Sequence, residues 1–293
     1  MLRIGSAPIS WGICEVPGWG RMLPTERVLS EMRELGLYAT ELGAPGFFPD
    51  DAGEVRALLD DTGMQMLGGF VPVVLHDPAF REQSLADSLR IAKHFQQLGA
   101  EYFVTAVVMS PDWAPRRRLD AAEWSHLVGM LDEIEQICDD HGLMQVLHPH
   151  WNTAIEQAED FDRLLDSSPV RWCLDTGHMA LGGADPVEFA ARARDRITYV
   201  HLKDVRLAQA VSLQAGTQSI MGAVQEGMFC PLGSGDVPIG EVVTSLVGSG
   251  YDGWFVIEQD TAITGGDPEL GSGPILDVRE SVEYLRSLGV GQA

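Results

Sequence analysis

Residues 171–178 read RWCLDTGH, a short apolar run that stops at Asp175 and is followed three positions later by His178. Both groups are costly to bury unpaired, so the run must either turn at the surface or open into a polar cavity. Four further junctions of this kind occur in the chain. YATELG ends on Glu41, VLHPH carries His148 and His150, VHLKD carries His201, Lys203 and Asp204, and FVIEQD carries Glu258. Carboxylates and imidazoles gathered at one opening form a ligand set for a divalent cation. Mn²⁺, Co²⁺, Mg²⁺ and Zn²⁺ all take mixed oxygen and nitrogen donors, so the ligand mix leaves the metal open, with Mn²⁺ or Co²⁺ the expected ion. Lys203, two residues beyond His201, adds an ammonium that could donate a proton or meet a developing oxyanion.

Each group also has a plain structural use. Asp175 before Thr176-Gly177 fits a helix N-cap or a turn, His201 fits a hydrogen-bonded strand end, and Glu258 fits a surface ion pair. Lys203 fits a salt bridge to Glu41 or Asp204. Their joint occurrence at the ends of apolar runs is what favours a site.

The elements that must position these groups alternate between short β-rich runs and longer stretches of helical period. Candidate strands cover 3–9, 38–42, 66–74, 102–108, 144–150, 170–175, 198–202 and 254–258. Helical patterns lie at 24–36, 84–99, 121–142 and 274–289, each closed by glycine or histidine-glycine. Eight such units in 293 residues favour one closed (β/α)₈ TIM barrel over residues 1–293 rather than an open doubly wound sheet. In that barrel the active site lies at the carboxyl ends of the strands, where Glu41, His148, His150, Asp175, His201 and Glu258 all fall. Strand parity points Asp175, His201 and Glu258 inward. The stretch 204–237, rich in Gly, Gln and Ser, is expected to be loop over the site, with a helix beginning near Pro238.

Composition narrows the function further. Twenty basic residues against 43 acidic ones leave a net charge of −23, which disfavours nucleic-acid or anionic-membrane partners and, with them, a phosphodiester-cleaving enzyme. No run approaches a membrane span, and the start lacks a signal-peptide core, so a cytoplasmic protein is expected. Cys14, Cys138, Cys173 and Cys230 form no CxxC pair and read as reduced thiols, Cys173 as a small core residue. GSGDVPIG has proline where a dinucleotide loop needs its third glycine, which argues against a nicotinamide enzyme.

The pieces APISWG (7–12), ATELG (39–43), HPHWNTAIE (148–156), CLDTGH (173–178), HLKDV (201–205), FCPLGSGDV (229–237) and GWFVIEQD (253–260) run in order from end to end. Together they resemble the xylose-isomerase-like barrel superfamily of sugar isomerases and epimerases, and within it the inosose (2-keto-myo-inositol) dehydratase group. The resemblance implies a metal on Asp175, His201 and Glu258 plus one group from the fifth strand. Where the epimerases have a glutamate this chain has His148, so the fourth ligand stays open among His148, His150 and Glu156, with Glu156 and His150 ranked ahead. By the same resemblance His178 contacts substrate hydroxyls.

The chemistry expected of such a site is dehydration of a cyclic keto-polyol through a metal-stabilised enediolate, with sugar isomerisation or epimerisation as the alternative. Glu41 and Glu258 are the candidate bases and Lys203 and His178 the candidate acids. Trp11 is expected to wall the sugar ring, and His148 and Arg206 to help bind substrate. A homo-oligomer is compatible with the family but marked by no patch.

Overall fold

A computed structural model describes residues 2–290. Its strands are β1 (Arg3–Ser6), β2 (Ala39–Thr40), β3 (Gln65–Met66), β4 (Gly68–Val73), β5 (Tyr102–Val107), β6 (Met144–Leu147), β7 (Trp172–Asp175), β8 (Ile197–Leu202), β9 (Asp204–Val205), β10 (Phe229–Cys230) and β11 (Trp254–Ile257). Nine of them form one parallel sheet in the order β3-β2-β1-β11-β8-β7-β6-β5-β4. Its two ends are one bent strand. Leu67, the single residue between β3 and β4, donates its N–H to Thr40 while its carbonyl accepts from Glu101 and Tyr102. The sheet therefore closes on itself with eight strand positions, as the alternation predicts.

The helices are α1 (Thr25–Glu34), α2 (Ala52–Thr62), α3 (Arg81–Leu98), α4 (Ala121–Asp140), α5 (Ala158–Ser167), α6 (Thr176–Leu181), α7 (Pro186–Arg192), α8 (Leu207–Gln214), α9 (Ile220–Gln225), α10 (Ile239–Gly248) and α11 (Pro274–Ser287). Local chemistry sets their ends: Asp120 and Glu123 form a reciprocal capping box at the start of α4, and Asp51 caps α2.

Side chains along a strand alternate between faces, so residues two apart share the barrel interior. Ala39, Val146, Cys173, Tyr199 and Val256 pack together in one interior cluster. Two positions further along each strand stand Glu41, His148, Asp175, His201 and Glu258. An apolar floor and a polar mouth thus come from the same parity.

Two expectations are corrected. The stretch 204–237 is not irregular, because it contains α8, α9 and an antiparallel pair in which Phe229 faces Val205 and Cys230 faces Asp204. Asp204 is buried, and its two oxygens accept the N–H groups of Val205, Gly233, Gly235 and Val237. A Cβ on residue 235 would lie 2.3 Å from Asp204 Oδ1, so only glycine allows this grip. HLKDV and FCPLGSGDV are therefore two halves of one clamp, which folds the segment back over the barrel mouth. The N-terminal strand also ends sooner than expected, turning into a short 3₁₀ helix at Pro8–Trp11.

Candidate metal centre

One donor atom each from His148, Asp175, His201 and Glu258 lies within 4.8 Å of the others, and all four residues are buried. The atoms that converge are His148 Nε2, Asp175 Oδ2, His201 Nδ1 and Glu258 Oε2. His148 Nε2 is 3.4 Å and 3.9 Å from the two carboxylates, and His201 Nδ1 is 3.8 Å and 2.8 Å from the same pair. None of the four has a hydrogen-bond partner. Buried polar atoms are rarely left so, and four on one point call for a positive charge between them.

The residues around the cluster fix which atoms are free. Asp175 Oδ1 accepts the N–H of His178 and caps α6, so the N-cap reading of Asp175 and the ligand reading hold for different oxygens of one carboxylate. His201 presents Nε2 to Glu41 Oε1 at 2.8 Å, and the Tyr199 hydroxyl donates to the same oxygen at 2.8 Å. A carboxylate can only accept, so neutral His201 carries its proton on Nε2 and turns the Nδ1 lone pair toward the cluster. Without a cation, a proton must take that place. Burial alone would lower the His201 pKa, but Cys173, Glu258 and Glu41 outweigh it and hold it well above the ordinary imidazole value. Burial raises Asp175 to about 7. A donor set of two imidazoles and two carboxylates fits a divalent cation.

Lys203 borders the cluster and is fully buried. Its Nζ donates to Asp260 Oδ1 at 2.6 Å and lies 3.3 Å from Glu258 Oε2 and 3.2 Å from His178 Nε2. Burial opposes its charge, yet Asp260, Glu258 and Asp175 keep the ammonium well above the usual lysine range. Burial brings Asp260 up to about 6, so both partners are ionised at neutral pH. Lys203 is one of two lysines in a chain whose other basic residues are arginines. The glycine of CLDTGH answers to the same side chain, since a Cβ on residue 177 would lie 2.6 Å from Lys203 Cγ.

Burial, with His150 and Lys203 beside it, keeps His178 well below the ordinary imidazole value and hence neutral. At the rim, Phe70 and Trp113 each expose over a third of their surface, with ring centroids 6.2 Å apart, and His150 lies 5.5 Å from Trp113. Trp113 and Asn152 are the two non-glycine residues with left-handed backbone among the described residues, at φ 58° and 61°. The Asn152 side chain ties them together through Trp113 O and the N–H of Arg116.

Several expected roles change on these contacts. The fifth-strand member of the cluster is His148, which keeps the inward parity of β6. His150 lies beyond the strand end with Nδ1 2.7 Å from Trp151 O, and Glu156 is taken by Arg116 and by the N–H of Asn152. Glu41 stands behind His201 and is tied to it, so it is not placed as a free base. Trp11 is wholly buried with its indole N–H on Glu31 at 2.9 Å, and so forms no wall of the mouth. Arg206 spends its guanidinium on the carbonyl of Gly227. Lys203 pairs with Asp260, not with Glu41 or Asp204. The sequence reading singled out neither Tyr199, two residues before His201 on β8, nor Asp260, two residues after Glu258 and beyond the end of β11, although the period of two marks both.

Eight parallel strand positions, of which four neighbours carry a buried His-Asp-His-Glu set, define a (β/α)₈ barrel with a candidate metal centre. The chain belongs to the xylose isomerase-like TIM barrel family, whose model matches residues 29–288. It is 37% identical over 275 residues to the inosose dehydratase of Geobacillus kaustophilus (strain HTA426), covering 89% of each chain. It is 32% identical over 272 residues to the rhizopine catabolism protein MocC of Rhizobium meliloti, covering 88% of this chain and 82% of that one. Among solved structures, that of an L-ribulose 3-epimerase superposes with a TM-score of 0.72 at 14% identity, over 98% of this chain and 94% of that one. No described helix is long and apolar enough to cross a membrane.

Proposed function

We propose that the protein is a metal-dependent lyase that removes water from a cyclic keto-polyol of the 2-keto-myo-inositol type. The observation that carries this reading is the convergence of four unpartnered donor atoms beside the buried Lys203 ammonium. The likeness to inosose dehydratases supplies the substrate class. His148, Asp175, His201 and Glu258 would hold the cation, and their mixed donors favour Mn²⁺ or Co²⁺. When bound, the cation would polarise a ketone and acidify the adjacent C–H.

The chain's own groups supply the proton transfers. The Glu258 side chain keeps 11% exposure while those of His148, Asp175 and His201 keep 1% or less, so it is the member open to the mouth and acts as base at the carbon. Lys203, held charged by Asp260, donates a proton to the β-hydroxyl as its C–O bond breaks, and water leaves with the enone behind it. Neutral His178 binds a substrate hydroxyl. Phe70, Trp113 and His150 shield one side of the ring from water. Glu41 and Tyr199 act on the reaction only through the orientation of His201. The free thiols of Cys14, Cys138, Cys173 and Cys230 support a reducing, cytoplasmic setting.

The test incubates metal-free and Mn²⁺- or Co²⁺-loaded protein with 2-keto-myo-inositol and with a panel of ketohexoses, in H₂O and in D₂O. Metal-dependent enone absorbance from the cyclic ketone supports the reading. Deuterium exchange or epimer formation without enone overturns it in favour of an isomerase or epimerase.

A further inference from the structure

We propose that the floor of this site holds a second, softer donor set, in which Cys173 joins His148 and His201 to bind a thiophilic cation such as Cd²⁺. The proposal rests on the reading of the mouth as a cation site. Cys173 and Asp175 lie two residues apart on β7, so both point into the barrel, one beneath the other. The register repeats this on the neighbouring strand, where Cys173 pairs with Tyr199 and Asp175 with His201. Donor atoms of His148, Cys173 and His201 lie within 4.8 Å of one another, and all three residues are buried. His148 has neither ring nitrogen partnered, so no contact fixes its tautomer and either nitrogen, one at a time, can turn its lone pair to a cation.

The two sets share their imidazoles and differ in the remaining donors. Asp175 and Glu258 offer hard carboxylate oxygens above, and Cys173 offers a soft sulfur below. Hard cations favour the first kind of ligand and thiophilic cations the second, so one barrel mouth sorts cations by depth. As the S–Cd bond forms, the S–H bond breaks and its proton passes to solvent. A cation seated on Cys173 sits below the level of Glu258 and Lys203, and it occupies both imidazoles that the upper position needs. Thiophilic cations therefore exclude the productive ion.

The test titrates metal-free wild type, Cys173→Ala and Cys173→Ser separately with Mn²⁺ and with Cd²⁺, following the manganese EPR signal and the ultraviolet thiolate-to-cadmium charge-transfer band. Wild type should show the band, and both variants should lose it. Loss of the sulfur ligand should weaken Cd²⁺ by about tenfold or more, and Mn²⁺ binding, which uses the upper set, should stay close to wild type. The cadmium NMR shift of the wild-type complex reports sulfur coordination independently of any variant. Cd²⁺ binding without a sulfur signal, or a band that survives in both variants, overturns this inference and leaves the upper site standing. Failure of wild type to bind either cation removes both.

Discussion

Glu41 and His201 meet through Oε1 and Nε2 at 2.8 Å, across the barrel from β2 to β8, and this contact decides which nitrogen of the imidazole faces the candidate cation site. A ligand fixed by a carboxylate behind it binds metal more tightly than a free imidazole. Glu41→Gln is therefore expected to weaken cation binding by about 10–100-fold, measured by calorimetric titration with Mn²⁺. A base at this position would behave differently, with turnover falling while cation affinity stayed unchanged.

Lys203 and Asp260 form the buried ion pair beside the cluster. Lys203→Met removes the proposed acid, and turnover should fall about 10²–10⁴-fold with cation affinity kept near wild type. Steady-state kinetics on the metal-saturated variant, beside a binding titration, checks both halves. An Asp260→Asn protein should lie between the two, because the ammonium stays but loses its strongest partner.

Gly177 has no room for a side chain against the Lys203 stem. Gly177→Ala must displace Lys203 from its place, and a displacement of about 1 Å at a reacting group costs about 10²-fold in rate. The same variant should also unfold earlier than wild type on heating, because forcing an extra carbon against a buried stem costs about 1–3 kcal/mol, so turnover is compared at a temperature where both proteins are folded. Equal activity would mean that the position of Lys203 has no bearing on turnover.

His150 has its pKa lowered by burial, by His148 and by Lys203, to about 3. Between that value and the ordinary 6.5 the unfolded chain binds a proton there and the folded chain does not, so this group contributes a loss of stability as pH falls through that window. Replacing it removes the loss. The melting temperature of His150→Gln, relative to wild type, should rise between pH 6.5 and pH 4 in metal-free protein. A constant difference would place the protonation elsewhere.

The barrel and most of its site were legible because both follow from strand parity. Asp175, His201 and Glu258 stand at the ends of apolar runs, and the period of two that faces them inward also buries Cys173, Val146 and Val256 beneath them. The fifth-strand member of the cluster is His148 because its N–H still bonds Thr105 O and so extends the ladder one residue past the end of β6 at Leu147, whereas the N–H of His150 has turned away to Ile155 O. Pairings between distant segments were not legible. Nothing local to Glu41 shows that Tyr199 and His201 will take up its oxygen, and nothing local to Trp11 shows that Glu31 waits for its indole. The segment 204–237 hid its order for a related reason, since its composition reads as loop and its structure depends on the clamp that Asp204 makes with Gly233, Gly235 and Val237.

The proposed chemistry requires His148, Asp175, His201 and Glu258 to grasp one cation. Anomalous diffraction from crystals grown with Mn²⁺, recorded above and below the manganese edge, tests it directly. A single strong manganese peak is expected touching His148 Nε2, Asp175 Oδ2, His201 Nδ1 and Glu258 Oε2, and absent from crystals of Asp175→Ala. A map with no peak among these atoms, or with the peak unchanged in that variant, would contradict it.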